Sequence, residues 1–165
     1  MIIETVKGDL LQLFKENKFS AIAHGANCFC KMGAGIAKQI SKQFPEAFEA
    51  DINFGEAGEI EKLGYFSSVK TEYGDIHNFY TQYLPGANFE YCALILSLIT
   101  LEDMIELYDD INIYVLGVPM IGAGIGGGDW ETIKSILEKS SLQIVVVEYD
   151  NGKTDMGQTE IDFTS

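Results

Sequence analysis

Two glycine-bearing stretches hold the residues with chemical potential. The first runs from His24-Gly25-Ala26-Asn27 through Lys31-Met32-Gly33-Ala34-Gly35-Ile36-Ala37. The second is Pro119-Met120-Ile121-Gly122-Ala123-Gly124-Ile125-Gly126-Gly127-Gly128-Asp129-Trp130. In each, residues of strand character turn through glycines into a run with helical spacing. Such a turn aims backbone N–H groups and the positive end of a helix dipole beyond the strand, which suits a phosphate. Two such loops, far apart in sequence, could grip one diphosphate from both sides. The run from Gly122 to Gly128 is costly, because every glycine loses backbone entropy on folding; close approach of a ligand to backbone is the usual compensation. Neither stretch is a P-loop, since no Gly-Lys-Ser/Thr follows, and Gly33-Ala34-Gly35 lacks the third glycine of a dinucleotide fingerprint.

Few reactive side chains accompany these loops. His24 ends a buried strand, where a histidine serves either as a hydrogen-bonded core residue or as an acid–base group. Asn27 could reach a sugar hydroxyl or hold a water. Asp129 precedes a helix and is most economically its N-cap, with a carboxylate that activates water as the alternative. Asp9 could cap the helix that begins at Leu10, or accept a hydrogen bond from an adenine amino group. Cys28 and Cys30 have no clear base partner beyond His24. With Cys92 they form no disulfide framework, and with two histidines in the chain a structural zinc site is not expected.

Stepping outward from these residues, hydrophobic periodicity predicts the elements that hold them. Strands are expected over 1–6, 19–23, 64–69, 75–82, 111–118 and 142–149. Helices are expected from Leu10 to about Phe14, through Ile36, Ile40 and Phe44, over 46–54 after a break at Pro45, over 88–108, and over 130–139. Residues 55–62 read as an acidic surface loop. Strands alternating with helices predict an α/β protein: a three-layer α/β/α sandwich with a mixed, mostly parallel central sheet. Ligands on such sheets bind beyond the carboxyl ends of the strands, where both glycine loops must lie. The expected organisation is one domain over 1–150 and an acidic tail over 151–165.

The formal charge of −14, with no arginine in the chain, repels nucleic-acid backbone and leaves any anion site to local amides and helix ends. The sequence shows neither an apolar run of membrane-spanning length nor a leader, so a soluble, cytoplasmic protein without a membrane partner is expected.

The ordered set Val6-Lys7-Gly8-Asp9, Ala26-Asn27, Met32-Gly33-Ala34-Gly35-Ile36-Ala37 and Val118 to Trp130 resembles the macro domain family, the ADP-ribose-binding α/β/α modules. The resemblance implies that Asp9 takes the adenine amino group, with the Leu10 amide beside it, and that Tyr149 stacks on adenine. It implies that Asn27 contacts the ribose bearing the reactive anomeric carbon. Gly33, Ala34, Gly35 and Ile36 would form one wall of the diphosphate cleft, and Gly122, Ala123, Gly124, Ile125 and Gly126 the other.

Within the family, His24-Gly25-Ala26-Asn27 followed by Met32 to Ala37 is most similar to the ADP-ribose 1''-phosphate phosphatases and their de-ADP-ribosylating relatives. Relatives that work through a covalent lysine carry it after the middle strand, where this chain has Phe79-Tyr80-Thr81-Gln82-Tyr83. They place an aspartate early in the second loop, where Gly126 stands. The implied activity is therefore hydrolysis of the phosphomonoester of ADP-ribose 1''-phosphate without metal or cofactor. His24 would polarise a water or protonate the leaving oxygen, Asn27 would orient the sugar and Asp129 would activate the water. The alternatives are an ADP-ribose reader without turnover, and a hydrolase that removes ADP-ribose from protein or nucleic acid. The acidic surface counts against a nucleic-acid partner.

Overall fold

A strand buried at every position must be covered on both faces, and Ala21–Asn27 (β2) is buried throughout. Around it the computed structural model, which describes residues 1–150, arranges Ile2–Gly8 (β1), Leu10–Lys15 (α1), Gly35–Gln43 (α2), Pro45–Phe54 (α3), Phe66–Thr71 (β3) and Gly74–Gln82 (β4). Tyr91–Tyr108 (α4), Val115–Val118 (β5), Trp130–Lys139 (α5) and Gln143–Tyr149 (β6) complete the order. The acidic tail expected over 151–165 lies outside the described residues.

The six strands form one sheet in the order β1-β6-β5-β2-β4-β3, parallel except for the antiparallel β3–β4 pair. The mixed, mostly parallel sandwich expected from the sequence is the fold observed. Successive strand residues point to opposite faces, and the core divides accordingly. Ala21, Ala23, Ile144 and Val146 pack with Leu94, Leu98 and Leu101 of α4 and Ile133 and Leu137 of α5. Ile22, Val145 and Val147 pack on the other face with Leu11 and Phe14 of α1, Ile36 and Ile40 of α2, and Ala47 of α3. No helix among the described residues is long and apolar enough to cross a membrane.

Three local departures from the sequence reading affect the site. The helix expected from residue 88 begins at Tyr91, because Phe89 is drawn into a bridge with Gln82 at the end of β4. The strand expected over 111–118 is ordered as such only over Val115–Val118, its first residues forming a turn. The stretch expected as an acidic surface loop ends in one 3₁₀ turn, Ile60–Lys62, and Lys62 is only 2% exposed. Pro45 starts α3 at its first position, where its missing N–H costs nothing.

Candidate functional site

The parallel register brings the carboxyl ends of β1, β6, β5, β2 and β4 to one edge of the sheet. Both glycine loops spring from that edge, the first after β2 and the second after β5, and these two strands are neighbours. Between them lies a cleft of about 170 Å³. Gly25, Ala26 and Asn27 of β2 floor it; Lys31, Gly33, Ala34 and Ala37 form one side; Gln82, Pro85, Gly86 and Ile125 form the other. The two loops thus do face one cavity.

The first wall is the start of α2. Its N-cap, Ala34, supplies no side-chain hydrogen bond, so the amides of the first helical turn keep their donors for an acceptor beyond the helix. Gly35 has φ +56°, the left-handed conformation that turns the chain into that helix. Ile36 instead points inward and is buried in the core.

Asn27 organises the loop that precedes this wall. Its Oδ1 accepts from the Phe29 N–H at 2.9 Å and the Lys31 N–H at 3.4 Å, and its Nδ2 donates to the Lys31 carbonyl at 2.8 Å. An amide nitrogen carries two hydrogens, so one stays available for a ligand in the cleft it floors. Gln82, paired in register with Asn27, does the same for the opposite rim: its Nε2 donates to the carbonyls of Leu84 and Gly86, each at 2.7 Å.

The second loop folds back on itself through Gly128 N–H to Gly122 carbonyl (2.8 Å) and Ala123 N–H to Met120 carbonyl (3.1 Å). Of its expected ligand residues, Ile125 lines the cleft, whereas Gly122, Ala123, Gly124 and Gly126 frame the loop behind it. Its glycines answer to a residue that the sequence reading did not weigh. Phe89 packs on Gly122, Gly126 and Gly128, and the Phe89 N–H donates to the Gly126 carbonyl at 3.1 Å.

Asp9, Leu10 and Tyr149 gather at the far end of the same edge, where Gly8 pairs with Tyr149. Asp9 is the N-cap of α1, its Oδ1 accepting from Leu11 N–H at 3.0 Å and Gln12 N–H at 3.2 Å. Three strand spacings separate β1 from β2, roughly 14 Å. An elongated ligand with one end at each place would cross the second glycine loop between them.

His24 and Asp129 do not meet in this cleft, and neither lines it. His24 is fully buried, and its Nε2 lies 2.6 Å from Asn78 Oδ1. Because Asn78 Nδ2 donates to the Ala47 carbonyl and to Ser67 Oγ, its Oδ1 must accept, which places the histidine proton on Nε2. Burial holds the His24 pKa below its ordinary value, against the opposing pull of Asn78. The ring is a neutral core group, so the expected contact with substrate water is corrected: the fold withdraws His24 from the cleft surface. Asp129 is exposed and caps α5, its Oδ2 accepting from Thr132 N–H at 3.0 Å and Thr132 Oγ1 at 2.7 Å. These bonds hold its carboxyl below the usual range.

Lys31 and Gln82 are the polar lining residues absent from the expected site, and Gly25, Ala26, Ala37, Pro85 and Gly86 line the cleft beside them. Lys31 stands just ahead of Gly33 in the sequence. The signal for Gln82 was available, since it ends a strand parallel to the one carrying Asn27.

No family model matches the chain. It is 43% identical over 157 residues, 91% of its length and 98% of the relative's, to an uncharacterised 17.5 kDa protein from the tk–vs intergenic region of Enterobacteria phage T4. It is 32% identical over 145 residues, 86% of its own length, to a DNA ADP-ribosyl glycohydrolase of Mycobacterium tuberculosis, of whose length it spans 39%. It is 26% identical, over 86% of its length and 95% of the relative's, to an ADP-ribose 1''-phosphate phosphatase of Meyerozyma guilliermondii. Among solved structures it is similar to the macrodomain of Mycobacterium tuberculosis DarG, with TM-score 0.68 and 28% identity, over 87% of this chain and 97% of that one.

Proposed function

This chain belongs to the macro domain family, and from that premise we propose that it binds ADP-ribose and hydrolyses the phosphomonoester of ADP-ribose 1''-phosphate. The observation that carries this reading is the convergence of both glycine loops on one cleft, whose single ionisable lining side chain among the described residues is Lys31. Adenine would lie at Asp9, Leu10 and Tyr149, the diphosphate between Gly33–Ile36 and Gly122–Gly126, and the terminal ribose over Asn27. The remaining amide hydrogen of Asn27 would hold a sugar hydroxyl. In a chain of charge −14, the Lys31 ammonium offers the local charge that a phosphomonoester dianion needs.

Phosphoryl transfer asks the protein chiefly for positioning and electrostatic stabilisation. A water attacks phosphorus in line with the bond to the 1''-oxygen. That bond breaks, and the sugar keeps its oxygen and takes up a proton as free ADP-ribose. Lys31 and the α2 amides would stabilise the phosphoryl oxygens. His24 and Asp129 act in this scheme as positioning residues: His24 through Asn78 and the strand that carries Asn27, Asp129 through the helix that ends the second loop.

A second reading has its own support. The mycobacterial relative at 32% identity is a DNA ADP-ribosyl glycohydrolase, which favours release of ADP-ribose from a nucleic acid. The stretch Phe79-Tyr80-Thr81-Gln82-Tyr83, which has no lysine, and Gly126 in place of the early aspartate weigh against lysine-dependent chemistry here.

A phosphorus NMR time course with ADP-ribose 1''-phosphate tests both. Growth of inorganic phosphate with the diphosphate signals intact supports the phosphatase. Shifted diphosphate signals without phosphate reduce the reading to binding, and release of free ADP-ribose from an ADP-ribosylated oligonucleotide would then establish the second reading. No change in either signal overturns the assignment of the cleft.

A further inference from the structure

A group of ionisable side chains with no part in the cleft lies behind the first loop. The Lys62 ammonium, 2% exposed, donates to Cys30 Sγ at 3.4 Å. It stands 3.6 Å from Asp51 Oδ1 and over the Tyr80 ring, 4.7 Å from its centroid. Asp51 is 1% exposed; its Oδ1 already accepts from the Tyr80 hydroxyl at 2.7 Å, and its Oδ2 has no partner. A buried charge is stabilised only by close and complete pairing, and this ion pair is long and one-sided. What the cage does secure is the place of the lysine nitrogen, beside a sulfur.

That sulfur is reachable. Cys30 is half-buried and lines a second cavity, about 580 Å³ and open to solvent, with Ile52, Asn53, Gly55, Glu56 and Glu59. Its backbone is left-handed, φ +57°, a conformation uncommon for a residue with a Cβ. The other two thiols differ. Cys28 is fully buried, its thiol pushed up to about 11 by burial, and Cys92 is exposed on α4.

We propose that Cys30 and Lys62 are a site of oxidative covalent modification, in which a peroxide oxidises the Cys30 sulfur and the Lys62 nitrogen condenses with it. In the first step the sulfur attacks the peroxide O–O bond: S–O forms, O–O breaks, and the thiol proton leaves with the departing oxygen as water. The product is a sulfenic acid, sulfur having lost two electrons to the peroxide. In the second step Lys62, having given one proton to the Asp51 carboxylate beside it, attacks sulfur as the amine. S–N forms, S–O breaks, and the hydroxyl leaves as water with a proton from nitrogen. Condensation of a sulfenic acid with a nitrogen is established thiol chemistry. Here the nitrogen is held in contact with the sulfur before any oxidant arrives, and the cross-link ties the first glycine loop to the 3₁₀ turn.

The test is peptide mapping of the full-length protein after graded hydrogen peroxide, in the wild type and in Lys62→Arg. Arginine keeps the charge beside Asp51, and the fold of the variant is checked by circular dichroism, but its guanidinium does not deprotonate and supplies no amine. The wild type should yield peptides joined between Cys30 and Lys62, lighter than their sum by two hydrogens and released by a thiol reductant. Lys62→Arg should lose the joined peptides and hold Cys30 as a sulfenic acid that dimedone traps. Wild-type Cys30 passing to sulfinic acid unjoined, or remaining a thiol while Cys92 is consumed, overturns the proposal. The readout involves no nucleotide, so its result stands apart from any test of the cleft.

Discussion

The ring of Phe89 covers the α-carbon of Gly122 so closely that a Cβ built there would stand 2.4 Å from Phe89 Cε2. The same ring limits Gly128 to 2.8 Å; a Cβ on Gly126 would meet the Gly122 carbonyl oxygen at 2.9 Å and the Phe89 Cβ at 3.3 Å. The glycine run of the second loop is therefore shaped as much by a phenylalanine from the β4–α4 connection as by any ligand. Gly126 is further confined by Gln82, whose Oε1 would lie 3.1 Å from an added Cβ. A glutamine at 82 and a glycine at 126 fit one another, which gives a steric reason for finding the two together.

Gly122→Ala should be costly. Gly122 has φ +77°, where a side chain is strained even in open space, and the space is filled. Backbone strain and overpacking together set an expected loss of about 2–4 kcal/mol. Urea unfolding of Gly122→Ala, Phe89→Leu and the double variant measures it. The double variant should be more stable than the sum of the two singles predicts, and strict additivity would show that the ring and the glycine are independent.

Gln82→Ala removes both donors that hold the carbonyls of Leu84 and Gly86. The loop is at the surface, so water replaces those partners and the stability cost should stay near ~1 kcal/mol. The rim of the cleft loosens, however, and a loop that must be ordered on binding weakens affinity; about tenfold is expected for ADP-ribose. Calorimetric titration gives the number. Unchanged affinity with a normal fold would show that Gln82 plays no part in shaping the site.

Lys31→Gln should act on charge alone, because Lys31 is exposed and its backbone already makes the bonds to Asn27. An exposed ion pair is worth little, so ADP-ribose should bind roughly threefold more weakly and a 1''-phosphorylated ligand should lose more. The salt dependence of binding should flatten in parallel. Equal losses for the two ligands would remove Lys31 from the terminal phosphate.

The sequence made the frame of this site legible because local rules govern it. Continuous apolar runs marked β2 and β6, Pro45 marked the break before α3, and the glycine loops were visible as strand-to-helix turns. What escaped depends on partners remote in sequence. His24 gave no sign that Asn78 would meet it across a strand pair, and its burial follows only from sheet order. Lys62 sits in a charged stretch that reads as solvated, and α3 together with β4 conceals it by way of Asp51 and Tyr80. Phe89 belonged to a helical pattern until its bridge with Gln82 drew it onto the second loop.

Acid should unfold the protein through its two buried histidines before its carboxylates contribute. His77 is 3% exposed, with Nδ1 on Ser68 Oγ and Nε2 2.9 Å from the Tyr114 hydroxyl. Burial lowers its pKa to about 3 from an ordinary 6.5, and burial moves His24 in the same direction. A base with a depressed folded pKa is protonated first in the unfolded chain. The stability it lends by staying neutral is complete above pH 6.5 and declines as pH falls from there towards 3. Each such histidine contributes a slope of about 1.4 kcal/mol per pH unit within its window. Between pH 6.5 and 5, where ordinary carboxylates remain charged, the urea midpoint of the wild type should fall steadily. In His77→Asn only the share of His24 should remain, giving a shallower line at lower overall stability. Parallel lines for the two proteins would mean that His77 takes up its proton without unfolding, and the acid sensitivity would have to be sought elsewhere.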